Sequence, residues 1–308
     1  MPSRVVVTGA TGCIGRHCLP LLVQRGWDVH AISSNADPPV VSGVTWHEAD
    51  LFDVHRVAAV MSQLRASHLL HLAWYVVPGK SGSSLENIRW LQASLDLMQQ
   101  FREAGGHRLA VAGSSFEYDW RYGYCSDSLT PTNPETLYGA AKNALRAMLE
   151  RYAAQTGLSQ AWPRIFFLYG PHEHPDRLVP AIVRALLRGE IARCSHGNQI
   201  RDYLYVEDVA DALVTILESD LQGAINIGSG RPITLRELAT RAADRLKGSD
   251  RVHFGAIPSR SNDAPLVVAD VGRLTSELGW KPTFDLDRGL DSTIDWWRQH
   301  LGKEGRST

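Results

Sequence analysis

The stretch TLYGAAK places Tyr138 four residues before Lys142. In a helix this spacing puts both side chains on one face. A phenol with its ordinary pKa near ~10 is too weak an acid to exchange protons at neutral pH. An ammonium about 4 Å away, at an effective dielectric of ~20, offers about 4 kcal/mol, or roughly three pKa units. Partial burial opposes this, because it disfavours the phenolate. The balance can still bring the phenol to where general acid–base catalysis operates. With nine tyrosines in the chain, such a pair also arises by chance, so its weight depends on its surroundings. A third group should hold the substrate oxygen. Ser114, in AGSSFEYD, closes a strand on the edge where ligands bind and has the right chemistry.

A second constellation lies near the N-terminus. In VVVTGATGCIGRH, Gly9, Gly12 and Gly15 follow a strand and open a helix. Such a turn needs unusual backbone angles, and a pyrophosphate must approach bare backbone at a helix N-terminus. Thr11, Cys13 and Ile14 belong to the same turn and are expected to touch a dinucleotide. An acidic residue ending the second strand would grip the adenosine ribose and repel a 2′-phosphate. Ser33, Ser34 and Asn35 stand there instead. They tolerate a phosphate, and Arg16 could supply positive charge, so NADP is favoured over NAD. Asp50 and Leu51 end the third strand and should meet adenine. Leu72, Ala73 and Trp74 end the fourth, where ribose and pyrophosphate would lie.

These groups need a scaffold, and the sequence supplies strands alternating with helices. RVVVTG, DVHAIS, VTWHEADL, HLLHLA, RLAVAGSS and SQAWPRIFFLYG read as strands. Helical patterns separate them, including 84–104 and 135–156, with Pro20 an oddity in the first helix and Asp53 a plausible N-cap. Alternation of this kind predicts an α/β fold with a doubly wound, Rossmann-type parallel sheet. After Gly170 the rhythm loosens. RLVPAIVRALLRG is helical, RDYLYV and AINIG are strands, further helices fall near 207–219, 234–247, 271–278 and 287–301, and 255–267 reads as a loop. The expected domains are 1–170 for the dinucleotide, with 201–228 returning to it, and 171–308 as a smaller C-terminal substrate-binding part.

The 308 residues carry a net charge of −1 and are 44% hydrophobic. Nothing provides the basic surface of a nucleic-acid binder, and no apolar run is long enough to span a membrane. The N-terminus enters a strand pattern directly, so no signal peptide is expected. Cys13, Cys18, Cys125 and Cys194 show no paired spacing and fit a reduced, cytoplasmic protein.

Several motifs in register resemble the extended short-chain dehydrogenase/reductases, specifically their nucleotide-sugar epimerase/dehydratase/reductase branch. They are TGATGCIG, ADLFD, HLLHLA, GSSFEYD, LYGAAK, PRIFFLYGP, RDYLYVEDVADAL, INIGSG and LGWKP. The resemblance spans nearly the whole chain. It implies Ser114, Tyr138 and Lys142 as the catalytic triad, with Lys142 also on the nicotinamide ribose and Phe166 beside the nicotinamide. It implies Arg201 and Arg260 as contacts to the substrate's nucleotide or diphosphate, to which the guanidinium fork is suited. A homodimer built on the helices 84–104 and 135–156 is implied as well.

Departures from the branch narrow the reaction. Relatives that eliminate water carry an Asp-Glu pair after the catalytic hydroxyl residue, where Ser115 and Phe116 stand here. GDP-fucose synthases use a cysteine two residues after the serine and a histidine after Gly-Pro. His172 fits the second place, but Phe116 fills the first. Redox at one carbon remains. A 4-ketoreductase of a 4-keto-6-deoxy nucleotide sugar is expected, the alternative being a 4-epimerase that retains NAD. A dinucleotide-binding sensor without turnover is an alternative of another class. Ser115, Phe116 and His172 join the arginines as substrate candidates. Trp74, Tyr75, Tyr118 and Trp120 either wall the sugar pocket or anchor loops. The His172-Glu173-His174 run lacks a third ligand at recognisable spacing, so no metal is expected. Arg241 and Arg245 read as a solvated face.

Overall fold

The computed structural model describes residues 3–259 and 263–304; Arg260 lies outside the described residues. Strands β1 (Arg4–Thr8), β2 (Asp28–Ser33) and β3 (Val44–Glu48) alternate with helices α1 (Cys13–Gln24) and α2 (Val54–Leu64). Then follow β4 (His68–His71), α3 (Glu86–Glu103), β5 (Arg108–Val111), β6 (Gly113–Ser114) and β7 (Tyr124–Cys125). Next come α4 (Leu137–Thr156), β8 (Ser159–Ile165), β9 (Phe167–Tyr169) and α5 (Leu178–Leu187). The remainder is β10 (Ala192–Cys194), β11 (Ile200–Tyr205), α6 (Val206–Glu218), β12 (Gly223–Ile227), β13 (Pro232–Thr234), α7 (Leu235–Arg245), β14 (Val252–Phe254), β15 (Leu266–Ala269), α8 (Gly272–Ser276) and α9 (Leu286–Glu304).

The main sheet runs β12-β8-β5-β4-β1-β2-β3, with β6 also on β8 and every pairing parallel. The chain winds outward from β1 through β2 and β3, then resumes at β4 on the other side. The switch between β1 and β4 opens a crevice at the strands' C-terminal ends, the usual ligand position in such sheets. Successive residues of β1 serve opposite faces. Val5 and Val7 pack with Leu19, Leu22 and Leu213 under α1 and α6. Val6 packs with Val57, Leu97 and Leu145 under α2, α3 and α4. Burial on both faces explains the unbroken apolar run. The structure is thus the doubly wound parallel α/β sheet read from the sequence.

A second sheet runs β13-β11-β15-β7, with β9 on β11, and β10 pairs β14 in a third. Helices α5, α7 and α9 enclose a separate core containing Val183, Leu238, Leu290 and Trp297. Three differences from the sequence reading concern this region. SQAWPRIFFLYG is two strands in two sheets: β8 joins the main sheet, and β9 pairs with β11. The break falls at Phe166, whose N–H bonds across to Ile227 O at 3.0 Å. The segment read as a loop to 267 already enters β15 at Leu266, which pairs with Ile200. Helix α1 continues through Pro20. Arg241 and Arg245 are not simply solvated; they bridge α7 to Asp287 and Asp291 of α9.

Candidate active site

The turn from β1 into α1 is built around two obligatory glycines. Gly9 has φ +68°, and a Cβ there would lie 2.6 Å from the Ala73 nitrogen. A Cβ on Gly15 would meet Gly9 O at 2.3 Å. These close approaches seat the loop on the end of β4 and the helix on the loop. Gly12 caps α1 with extended backbone and no side-chain bond, and the first turn has no acidic residue. The first-turn N–H groups and the positive end of the helix are therefore left without a side-chain cap, which fits the diphosphate of a dinucleotide. Around the loop, Arg16 Nε donates to Thr11 O at 2.7 Å. Cys13 lies half-buried, and burial pushes its thiol up to about 12. Ile14 packs in part against the α1 core.

At the end of β2, the Ser33 hydroxyl accepts from Asn35 N at 3.0 Å, and Ser34 is exposed. Asp50 is exposed and caps Phe52 N, while Leu51 is buried. Leu72 and Ala73 continue β4 directly under Gly9.

Tyr138 is hydrogen-bonded to the Ser114 side chain at the C-terminal edge of the same sheet, and Lys142, one helical turn on, lies against the Trp74 ring that also faces Tyr138. Thr136 caps α4, its hydroxyl accepting from Gly139 N at 3.1 Å. A Cβ on Gly139 would lie 2.1 Å from Phe116 O. Only glycine lets the first turn of α4, carrying Tyr138, settle onto the Ser114–Phe116 turn. The Tyr138 ring stands edge-on to Phe116 and Trp74, with centroids 5.8 and 6.4 Å away. Lys142 is 2% exposed. Its Nζ donates to Ala112 O at 2.9 Å and sits 3.7 Å above the Trp74 ring.

The expected acidified phenol is corrected by this arrangement. Burial raises the Tyr138 pKa; a hydrogen bond with the Ser114 side chain pulls it down, Glu117 raises it and Arg177 lowers it. Burial also lowers Lys142 to about 7, against the pull of Glu117. Each group's own burial dominates its shift, and the ammonium is held by a carbonyl and a ring rather than by the phenol.

Glu117 was not singled out from the sequence. It is fully buried and accepts from Ser114 N at 2.7 Å, Trp162 Nε1 at 2.9 Å and Arg164 Nε at 2.9 Å. Ser114 Oγ accepts in turn from Phe116 N at 3.3 Å. The pattern Ser-x-x-Glu is a capping box and was legible as such. His71 gave no signal. Buried under the glycine loop, it bonds Thr8 Oγ1 at 2.6 Å and Ser94 Oγ at 2.9 Å, and burial lowers it to about 3.

A line of rings leads away from Tyr138. Phe116 contacts Trp120 at 4.4 Å, and Trp120 faces Phe167 at 6.2 Å. The Arg201 guanidinium lies 5.4 Å above Phe167 and pairs with Asp263. Ser115 is buried, and its carbonyl accepts from Trp120 Nε1 at 2.7 Å. Tyr118 is no pocket wall: it is 2% exposed, and its hydroxyl is bonded to Asn226 and Arg164. Phe166 is buried beside it, 6.2 Å away. Trp74 is buried with Nε1 on Asn87, and Tyr75 packs against the core. His172 stands apart, between His17 of α1 and Trp296 of α9, with φ +65°. Burial lowers its pKa to about 4.

A doubly wound sheet with a glycine turn at its switch point and polar groups at its C-terminal edge defines a Rossmann-type protein of the extended short-chain dehydrogenase/reductase class. The family model described as the NAD dependent epimerase/dehydratase family matches residues 5–228. The chain belongs to that family. The solved structure of MoeE5 with UDP-glucuronic acid and NAD is 30% identical, with TM-score 0.85, covering 97% of this chain and 100% of that one. The UDP-glucose 4-epimerase of Thermus thermophilus, solved with NAD, is 27% identical, with TM-score 0.85, covering 96% and 99%. The dTDP-6-deoxy-L-talose 4-dehydrogenase (NAD(+)) of Aggregatibacter actinomycetemcomitans is 27% identical over 85% of this chain and 98% of its own length. Among the described residues, no helix is long and apolar enough to cross a membrane.

Proposed function

We propose that the chain is a nicotinamide-dependent oxidoreductase that reduces a 4-keto, 6-deoxy nucleotide sugar at C4. The observation that carries this reading is the hydrogen bond between Tyr138 and Ser114 on the sheet edge beside the glycine turn, with Lys142 one helical turn on against the same Trp74 ring. Backbone N–H groups from Gly12 to Gly15 would hold the diphosphate, with Leu72, Ala73 and Trp74 along the ribose and Phe166 near the nicotinamide. When bound, the nicotinamide supplies or accepts hydride. Ser114 Oγ orients the sugar carbonyl, and Tyr138 donates a proton to its oxygen. Burial keeps Tyr138 protonated at neutral pH, so it carries the proton, and the negative charge that develops on the sugar oxygen as hydride arrives would draw that proton across. Arg201, paired with Asp263 beyond Phe116 and Trp120, would receive the nucleotide diphosphate. Arg260 and His172 remain candidates for the same ligand.

No carboxylate ends β2, so NADP is admitted alongside the NAD bound by structural neighbours. Exposed Leu85 and Ile88 at the start of α3 and Met148 midway along α4 support a homodimer through those helices. The test is oxidation of NADPH and NADH by a panel of nucleotide-linked 4-keto sugars. Oxidation identifies the reductase. The comparison with a UDP-glucose 4-epimerase favours a second reading, whose mark is isomerisation with no net change in cofactor. Tight cofactor binding with neither reaction marks a sensor.

A further inference from the structure

Glu173 lies in the segment between β9 and α5, which crosses the N-terminus of α1. The Pro171 carbonyl there is bonded to His17 Nε2 at 3.3 Å and to the Cys13 thiol at 3.6 Å. The Glu173 side chain is 9% exposed, and its buried Oε2 has no hydrogen-bond partner. Gly170 N–H and the charge of Arg177 are what favour its ionised form. A carboxylate enclosed with so few donors resists ionisation.

The groups facing it come from several elements. Cys13 of α1, Tyr203 of β11 and Arg177 of its own segment act on it directly; around them lie Arg16 and His17 of α1 and His172, which His300 of α9 faces. Glu207 of α6 faces His17. Burial holds Cys13 up at about 12 and Tyr203 above its ordinary range, and it lowers His17 and His172. All four are therefore neutral in weakly alkaline solution, and the arginines stay charged. Burial pushes Glu173 up to about 8, so this carboxyl changes the charge beside the α1 N-terminus in that range.

We propose that dinucleotide binding is linked to the proton on Glu173: the α1 N-terminus accepts a diphosphate while Glu173 is neutral and repels it once Glu173 ionises. Because Oε2 is enclosed, Glu173 acts through its charge and is a positioning residue. The inference rests on the reading that the glycine turn holds a dinucleotide.

The test is the Kd of NADH and NADPH, read by their fluorescence, from about pH 6.5 to about pH 9.5. Wild-type affinity is expected to fall on the order of tenfold across this range. Glu173→Gln should fall several-fold less than wild type across the same range, so that the two curves diverge as the pH rises. Ionisation of Lys142 is common to both proteins and drops out of the comparison. Parallel curves overturn the proposal while leaving the dinucleotide reading intact. Absence of dinucleotide binding at every pH overturns both. If Glu173→Gln does not fold, wild-type protein labelled with 13C at its glutamate carboxyls decides. One carboxyl should titrate near the pH of about 8 given by burial and move upward when NADH is added. No glutamate carboxyl titrating above about pH 6 overturns the proposal.

Discussion

Tyr138 and Lys142 share a helix face and a wall of rings, and burial moves their proton affinities in opposite directions: the phenol up, the amine down to about 7. The spacing made the pair legible from sequence. The direction of the phenol's shift was not, because it depends on Trp74, Phe116 and the Ala112 carbonyl, brought in from other elements. Tyr138→Phe should lower turnover by about 10²–10⁴-fold with dinucleotide affinity unchanged, measured by steady-state kinetics beside fluorescence titration. Lys142→Met should abolish turnover yet stabilise the fold. With Lys142 lowered from 10.5 to about 7, the unfolded chain binds more protons between those values. Wild-type stability therefore rises with pH across that window. The gain in the variant is expected to be roughly 2–4 kcal/mol below pH ~7, shrinking towards pH ~10.5. Thermal unfolding at several pH values checks it; a gain independent of pH would contradict the burial argument.

Between elements, the turn after β6 and the first turn of α4 fit together through Gly139 and Glu117. Gly139→Ala puts a methyl against Phe116 O, which neither backbone can yield cheaply. A loss of about 1–3 kcal/mol in stability and at least ~10-fold in kcat is expected. Wild-type kinetics in this variant would show that the two turns are not coupled. Glu117→Gln removes the charge that pairs with buried Arg164. It should cost about 3–5 kcal/mol, read by denaturant unfolding. The long elements of the main sheet were plain in the sequence, because buried strands and amphipathic helices carry strong patterns. Asp53 was read correctly as the cap of α2, its carboxylate accepting from Arg56 N. The short strands β7, β10, β13 and β14 were not visible: two or three residues show no period, and their pairing is set by distant partners. Phe166 marks a sheet change that an apolar run conceals.

At the scale of the molecule, the sheet's switch point, the glycine turn and the polar edge converge on one crevice, while α3 and α4 present exposed apolar side chains elsewhere. Light scattering is expected to give twice the mass of one chain, and Ile88→Glu with Met148→Glu to give a monomer. A monomeric wild type would contradict that assignment. The central claim, proton donation by Tyr138 coupled to reduction of a sugar ketone, is tested most directly by single-turnover oxidation of bound NADPH or NADH with 4-keto-6-deoxy nucleotide sugars, comparing wild type with Tyr138→Phe. The account expects rapid oxidation in the wild type and a rate at least about 10²-fold lower in the variant, at equal cofactor occupancy. Oxidation in Tyr138→Phe at the wild-type rate would contradict it.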